Sequence, residues 1–105
     1  MVTEQVMTDI IETIVQLAEP RRIVLFGSYA RKTMLADSDI DLMVIVSDDV
    51  SDIRSLTADL HIALSRIVDI PCDLMVERES VFAARGALPT LEHAILQEGY
   101  TLYAA

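Results

Sequence analysis

The sequence predicts an α/β or α+β domain, a small mixed β-sheet of three to four strands packed with helices. Three observations predict it. Apolar residues recur at three- and four-residue spacing over long stretches. Short β-branched runs fall between those stretches. Proline and glycine punctuate the junctions, at Pro20, Gly27 and Gly99. The predicted order is helix, strand, short helix, strand, helix, strand, helix and a final strand-like segment.

Each element has its own warrant. From Thr3 to Glu19 the residues Val6, Ile10, Ile14 and Leu17 form one stripe, broadened by Met7, Ile11 and Val15, and Pro20 ends this amphipathic helix. IVLFG, closing at Gly27, reads as a buried strand. Residues 28 to 35 predict a short helix opening on Ser28, an N-cap residue type, and Ala36-Asp37-Ser38 a turn. In DIDLMVIV, Asp39, Asp41, Met43 and Ile45 share one face and Ile40, Leu42, Val44 and Val46 the other, so the apolar second half is buried on both sides.

Ser51 begins a second long helix on Ile53, Leu56, Leu60, Leu64 and Ile67, with Arg54, Asp59 and Arg66 solvated on its far face. PCDLMVE is a third strand. A helix from about Pro89 to Glu98 closes at Gly99, read as a C′ residue, and GYTLYA supplies the fourth strand. Ser47-Asp48-Asp49 and Glu77-Arg78-Glu79 read as solvated loop and helix-cap charges. This topology by itself specifies no function.

Composition narrows the field. The 105 residues read as one domain, 1–105, with no room for a separate substrate-binding domain, so a large substrate is met by another chain. Hydrophobic residues make up 52% but aromatic ones only 5%, so aliphatic side chains build the core and leave an apolar face for a homo-oligomer or hetero-oligomer. Eight Lys and Arg against 17 Asp and Glu give a net charge of −9, which argues against direct grip on a nucleic-acid backbone. The single cysteine, Cys72, excludes an internal disulfide and reads as a small buried hydrophobe. MVTEQVMTDI has no basic n-region, and no apolar run approaches a membrane span, so a cytoplasmic protein without membrane contact is expected.

The chemistry concentrates between residues 27 and 41. Asp39 and Asp41 are two apart on a strand, so both carboxylates leave one face, roughly 6–7 Å apart. They repel unless cations lie between them, and a pair of Mg²⁺ ions fits that gap. Mg²⁺ is held by few carboxylates while substrate phosphates complete its shell, so a phosphate site is expected nearby. Gly27 lets backbone amides approach a ligand, Ser28 opens a helix whose positive end favours an anion, and Arg31 and Lys32 lie one turn on. Asp73, flanked by Cys72, Leu74 and Met75 in the third strand, is the candidate third carboxylate, completing the ion's ligands and taking a proton from an attacking hydroxyl.

The pattern Gly27-Ser28, ten residues, Asp39-Ile40-Asp41 and a later strand Asp73 resembles the minimal nucleotidyltransferases of the DNA polymerase β superfamily, over nearly the whole chain. The resemblance implies the DNA polymerase β-like fold. It also implies that Asp39 and Asp41 bind two Mg²⁺, that Asp73 binds the catalytic ion and activates the acceptor, and that Gly27 and Ser28 hold the triphosphate of ATP. Arg31 matches the family's Gly-Ser-x-Ala-Arg-Gly. Lys32 departs from it, standing where glycine is common, and would either clash with the nucleotide or add a phosphate contact.

What the resemblance implies about activity is AMP transfer from ATP to a hydroxyl, with pyrophosphate leaving. Stand-alone domains of this family commonly act as antitoxins that adenylylate a tyrosine of a HEPN-domain toxin. The alternatives are an antitoxin that blocks its toxin by steric binding alone, and nucleotidyl transfer to a small molecule such as an aminoglycoside. His61 and His93 lack a second ligand at metal-binding spacing and read as structural or surface residues. Asp37 and Ser38 cap the strand entry, and Tyr29, Tyr100 and Tyr103 belong to the core, an interface or the adenine site.

Overall fold

The computed structural model describes residues 2–35 and 38–105. Nine elements follow in order: α1 (Glu4–Ala18), β1 (Arg22–Phe26), α2 (Gly27–Arg31), β2 (Ile40–Val46), α3 (Ile53–Ser65), β3 (Cys72–Arg78), α4 (Glu79–Gly86), α5 (Leu91–Glu98) and β4 (Tyr100–Ala104). The strands form one mixed sheet in the order β3-β2-β1-β4. β1 runs antiparallel to β2 and β4, whereas β2 and β3 are parallel. A parallel pair needs a crossover, and α3 supplies it.

The apolar stripes decide which face each helix covers. Ile10 and Ile14 of α1 and Leu60 and Leu64 of α3 are buried against Ile40, Leu42, Val44 and Val46 of β2. On the opposite face Phe82 of α4 and Ile95 of α5 pack on Val24, Met43 and Ile45. Both faces of β2 are therefore buried beyond Asp41, as its run of apolar residues predicts. Each fully buried Ile or Leu contributes about 1.5–3 kcal/mol.

Two boundaries differ from the sequence reading, and one expected turn is not described. The short helix spans Gly27–Arg31 rather than 28–35, and Ser28 lies inside its first turn. The N-cap is Phe26, which has no side chain to cap with. The turn expected at Asp37 lies outside the described residues; Ser38 does close a local loop, its hydroxyl accepting from the Leu35 N–H at 2.7 Å. Gly99 follows α5 in extended backbone, φ −72° and ψ 156°, not in the left-handed conformation of a C′ glycine. Glycine is needed there because a Cβ would run into the backbone carbonyl oxygen of Ile95 and stand 2.5 Å from Val24 Cγ1.

The largest departure is α4. Glu77 and Arg78 end β3, and Arg78 and Glu79 sit at the start of a helix as the helix-cap reading of these charges expects, but the helix itself, Glu79–Gly86, has no signal in the sequence reading. Arg78 donates to the carbonyls of Val50 and Ser51 at 2.9 and 3.2 Å, tying β3 to the start of α3. Glu92 of α5 is only 3% exposed and accepts from Arg85 Nε at 2.7 Å. Its other oxygen and Oε1 of Glu77 are both buried without a conventional partner. Two carboxyl groups in that position share a proton, so Glu77 is pushed up to about 7 by burial and by Glu92. Glu92 is held well below the usual carboxylate range by Glu77 and Arg85.

Candidate active site

The sheet register brings the predicted acids together. Asp41 is the second residue of β2 and Asp73 the second of β3, and the parallel pairing sets them directly opposite. Both side chains leave the face that carries Met43 and Met75. Asp39 lies just before β2, exposed, as does the Asp73 side chain. The Asp41 carboxyl is raised above its ordinary value by burial first, then by the neighbouring carboxylates of Asp73 and Asp39, while Arg31 opposes the rise. Asp39, Asp41, Asp73 and Arg31 are thus in electrostatic contact.

Gly27 and Ser28 meet this cluster through the β1–β2 pairing. Phe26 faces Asp41 in the last pair of the ladder, and Gly27 turns away from the strand with φ +73°. A side chain on Gly27 would run into the Asp41 carboxylate. The glycine therefore serves two needs at once, a left-handed turn and space for an acid. The Ser28 carbonyl accepts from the Thr33 N–H at 2.9 Å, which folds the chain back after the turn.

Lys32 is explained by its backbone. It ends α2 with φ 59° and ψ 33°, the left-handed conformation that a helix C-terminus favours and that glycine adopts without strain. Glycine at this position suits a helix cap, and that requirement is separate from any approach to nucleotide.

Among the described residues, no group of three or more His, Cys, Asp or Glu side chains is arranged to hold a metal ion. The donor set is instead an open rim of carboxylates, the hard-oxygen chemistry that suits Mg²⁺ when substrate phosphates supply the remaining ligands. Asp41 and Asp73 are set opposite each other, and the Asp41 carboxyl is raised by burial and by the charges of Asp73 and Asp39, a hard-oxygen donor pair of the kind a divalent cation takes.

The remaining residues divide cleanly. Arg31 makes an exposed ion pair with Glu98 of α5 at 3.8 Å, a partner that no spacing in the sequence reveals. Burial, Asp73 and Asp41 push the Cys72 thiol up to about 11, so it is inert at neutral pH. Tyr29 is 8% exposed and belongs to the core, while Tyr100 is exposed on β4. His93 Nδ1 lies 2.9 Å from the Gly86 carbonyl, a structural contact between α5 and α4. A cavity of about 570 Å³ lined by Arg21, Arg22, Ile45 and Phe82 sits at the far end of the sheet. Ile45 is four strand residues, roughly 13 Å, from Asp41, so this cavity is separate from the acids.

The family model of the nucleotidyltransferase domain matches residues 7–99. No curated protein matches the chain by sequence. A variant of the toxin–antitoxin MntA-HpeT superposes with TM-score 0.69 at 24% identity, covering 100% of this chain and 75% of that one. A toxin–antitoxin structure with AMP-PNP gives TM-score 0.65 at 22% identity over 93% of this chain and 73% of the other. A tri-AMPylated Shewanella oneidensis HEPN toxin in complex with MNT antitoxin gives 0.64 at 20% identity, over 97% and 72%. At these identities the structures establish a shared fold. With 93 of its 105 residues matched by the family model, counted from 7 to 99, the chain belongs to the nucleotidyltransferase domain family.

Proposed function

We propose that the chain transfers AMP from ATP to a hydroxyl, most simply a tyrosine, of a HEPN-domain toxin and so neutralises it. The observation that carries the reading is the meeting of Asp39, Asp41 and Asp73 beside Gly27. The solved relatives support the partner class: one holds a HEPN toxin that is tri-AMPylated, and another was determined with AMP-PNP.

Asp39 and Asp41 would hold Mg²⁺, with Asp73 completing the site, and the ions when bound supply charge neutralisation for the triphosphate and the departing pyrophosphate. The chain's own groups do the rest. Gly27 leaves the backbone beside Asp41 open to a phosphate. Arg31 adds a cation next to the acids and draws negative charge toward them. Asp73, exposed on the sheet rim, is placed to accept the proton of an incoming hydroxyl. Positioning and charge neutralisation carry the rate more than proton transfer does.

A lysine that blocked the nucleotide would favour the steric-antitoxin alternative. Lys32 is a helix cap, and the acids remain in register. The test mixes the purified protein with its HEPN partner, Mg²⁺ and ATP and weighs the partner by intact mass spectrometry. A gain of one or more AMP units, absent with Asp39→Ala/Asp41→Ala, is expected. An unmodified partner in a stable complex would favour steric binding.

A further inference from the structure

Five of the eight large hydrophobic side chains exposed among the described residues fall between residues 81 and 100: Val81, Leu88, Leu91, Leu96 and Tyr100, 42–66% exposed. Exposed leucines scattered singly need no explanation, whereas a concentration of them marks an interaction surface. Phe82 and Gly86 of α4 and Glu92 and Ile95 of α5 are turned inward, which leaves the exposed apolar residues on the solvent side of the helix pair. α4 buries one large side chain on its own domain and keeps Val81, Ala83 and Ala84 outside.

Charge follows the same boundary. Sixteen of the 17 acids lie outside residues 80–97, and the one inside, Glu92, is 3% exposed and bonded to Arg85. In a chain of net charge −9, these two helices offer solvent no free carboxylate between Glu79 and Glu98. The centre of a protein interface is depleted of charge in this way.

The face also runs up to the chemistry. At one end Ala83 and Leu96 share the 570 Å³ cavity with Arg21 and Arg22, and at the other Leu91 and Ala94 line a cleft with Gly27, beside the Asp41 carboxylate. The eight residues of α5 span about 12 Å, less than the width of a usual footprint of ~800 Å² per partner. A protein seated on this face therefore reaches the acids.

We propose that the outer face of α4 and α5 is the docking surface for the acceptor protein, which seats an apolar patch on it and so brings its hydroxyl to Asp73. The proposal rests on the transferase reading above and assigns where its partner binds. A second copy of this chain fits less well. Two chains of −9 repel, and a copy on this face would cover the acids that the acceptor has to reach. The occupant is thus a protein with an apolar patch beside its acceptor hydroxyl, neutral or basic overall.

The test titrates the whole protein with its HEPN partner by calorimetry and follows AMP transfer at varied partner concentration. Val81→Glu/Leu88→Glu puts two charges on the face without touching the acid cluster. It is expected to weaken the complex about 100-fold, about tenfold for each apolar side chain, and to raise the KM for the partner alike. The kcat at saturating partner and the affinity for MgATP are expected to stay within about twofold. Ile62→Glu, at a residue 55% exposed on α3, across the sheet, is the control and is expected to change nothing. Val81→Ala/Leu88→Ala, with an expected loss of about tenfold, repeats the comparison should the glutamates disturb α4. An unchanged KM for the partner in both double variants, or an equal loss in Ile62→Glu, overturns the docking surface. A wild-type dimer that the glutamates convert to monomer gives the face to a second copy and overturns it too. A complex that the glutamates break but that yields no AMP on the partner would sink the transferase reading and leave the surface standing.

Discussion

The Asp41 carboxylate occupies the space that any side chain on Gly27 would need. This contact fixes the distance between the turn after β1 and the acids of β2, and it makes the two residues a single unit. Gly27→Ala must displace the carboxylate and also place a Cβ in the left-handed region, which costs about 1–2 kcal/mol. We expect a lower thermal midpoint together with at least a ~100-fold loss of AMP transfer, since misplacement by about 1 Å at a reacting centre has that effect. Retention of full activity would show that the turn does not define the site.

Asp41 and Asp73 face each other in parallel register, so their repulsion is part of the resting protein. Asp41→Asn should relieve it and stabilise the metal-free protein by a few tenths to about 1 kcal/mol, the scale of directly opposed like charges. The same substitution should abolish transfer. Added Mg²⁺ should raise the thermal midpoint of the wild type and leave that of Asp41→Asn where it was. Denaturation with and without Mg²⁺ reads both effects.

Lys32 carries a Cβ in the left-handed conformation at the end of α2. Lys32→Gly should therefore stabilise the fold by about 0.5–1 kcal/mol in urea denaturation. Transfer should stay within about twofold of wild type if the lysine touches no phosphate, and a larger rise in the KM for ATP would return it to the nucleotide site.

The Glu77–Glu92 pair gives stability a dependence on pH. The Glu77 carboxyl is raised to about 7, so its protonated form favours the fold, and stability falls as pH rises from the ordinary carboxylate range through 7. Glu92, held low, contributes stability that is lost as the pH falls below that range. Glu77→Gln, able to donate to Glu92 at any pH, should be more stable than wild type by about 1 kcal/mol at pH 8 and nearly equal to it at pH 5. Parallel melting curves across pH 4–9 would contradict the shared proton.

Much of the site was legible because it is local. Asp39 and Asp41 are two apart at the start of a strand that announces itself by its apolar run, Asp39 falling just before its first residue, and α1 and α3 show continuous stripes. What escaped depends on partners distant in the chain. ESVFAARG has only Val81 and Phe82 as large apolar residues, too few to mark α4 by periodicity, and Val81 is exposed. Glu92 is buried only because Arg85 and Glu77 reach it from two other elements. Gly99 is glycine because Val24 of β1, together with the Ile95 carbonyl four residues back, crowds the place of a Cβ. The Arg31–Glu98 pair spans 67 positions, from 31 to 98, and no local pattern encodes it.

The central claim is that Asp39, Asp41 and Asp73 direct chemistry at the α-phosphate of ATP. The most direct measurement supplies the protein and its HEPN partner with ATP radiolabelled at either the α- or the γ-phosphate and follows label onto the partner. Transfer of the α-label alone, lost in Asp39→Ala/Asp41→Ala, is the result the account predicts. Transfer of the γ-label, or no transfer within a stable complex, would contradict it.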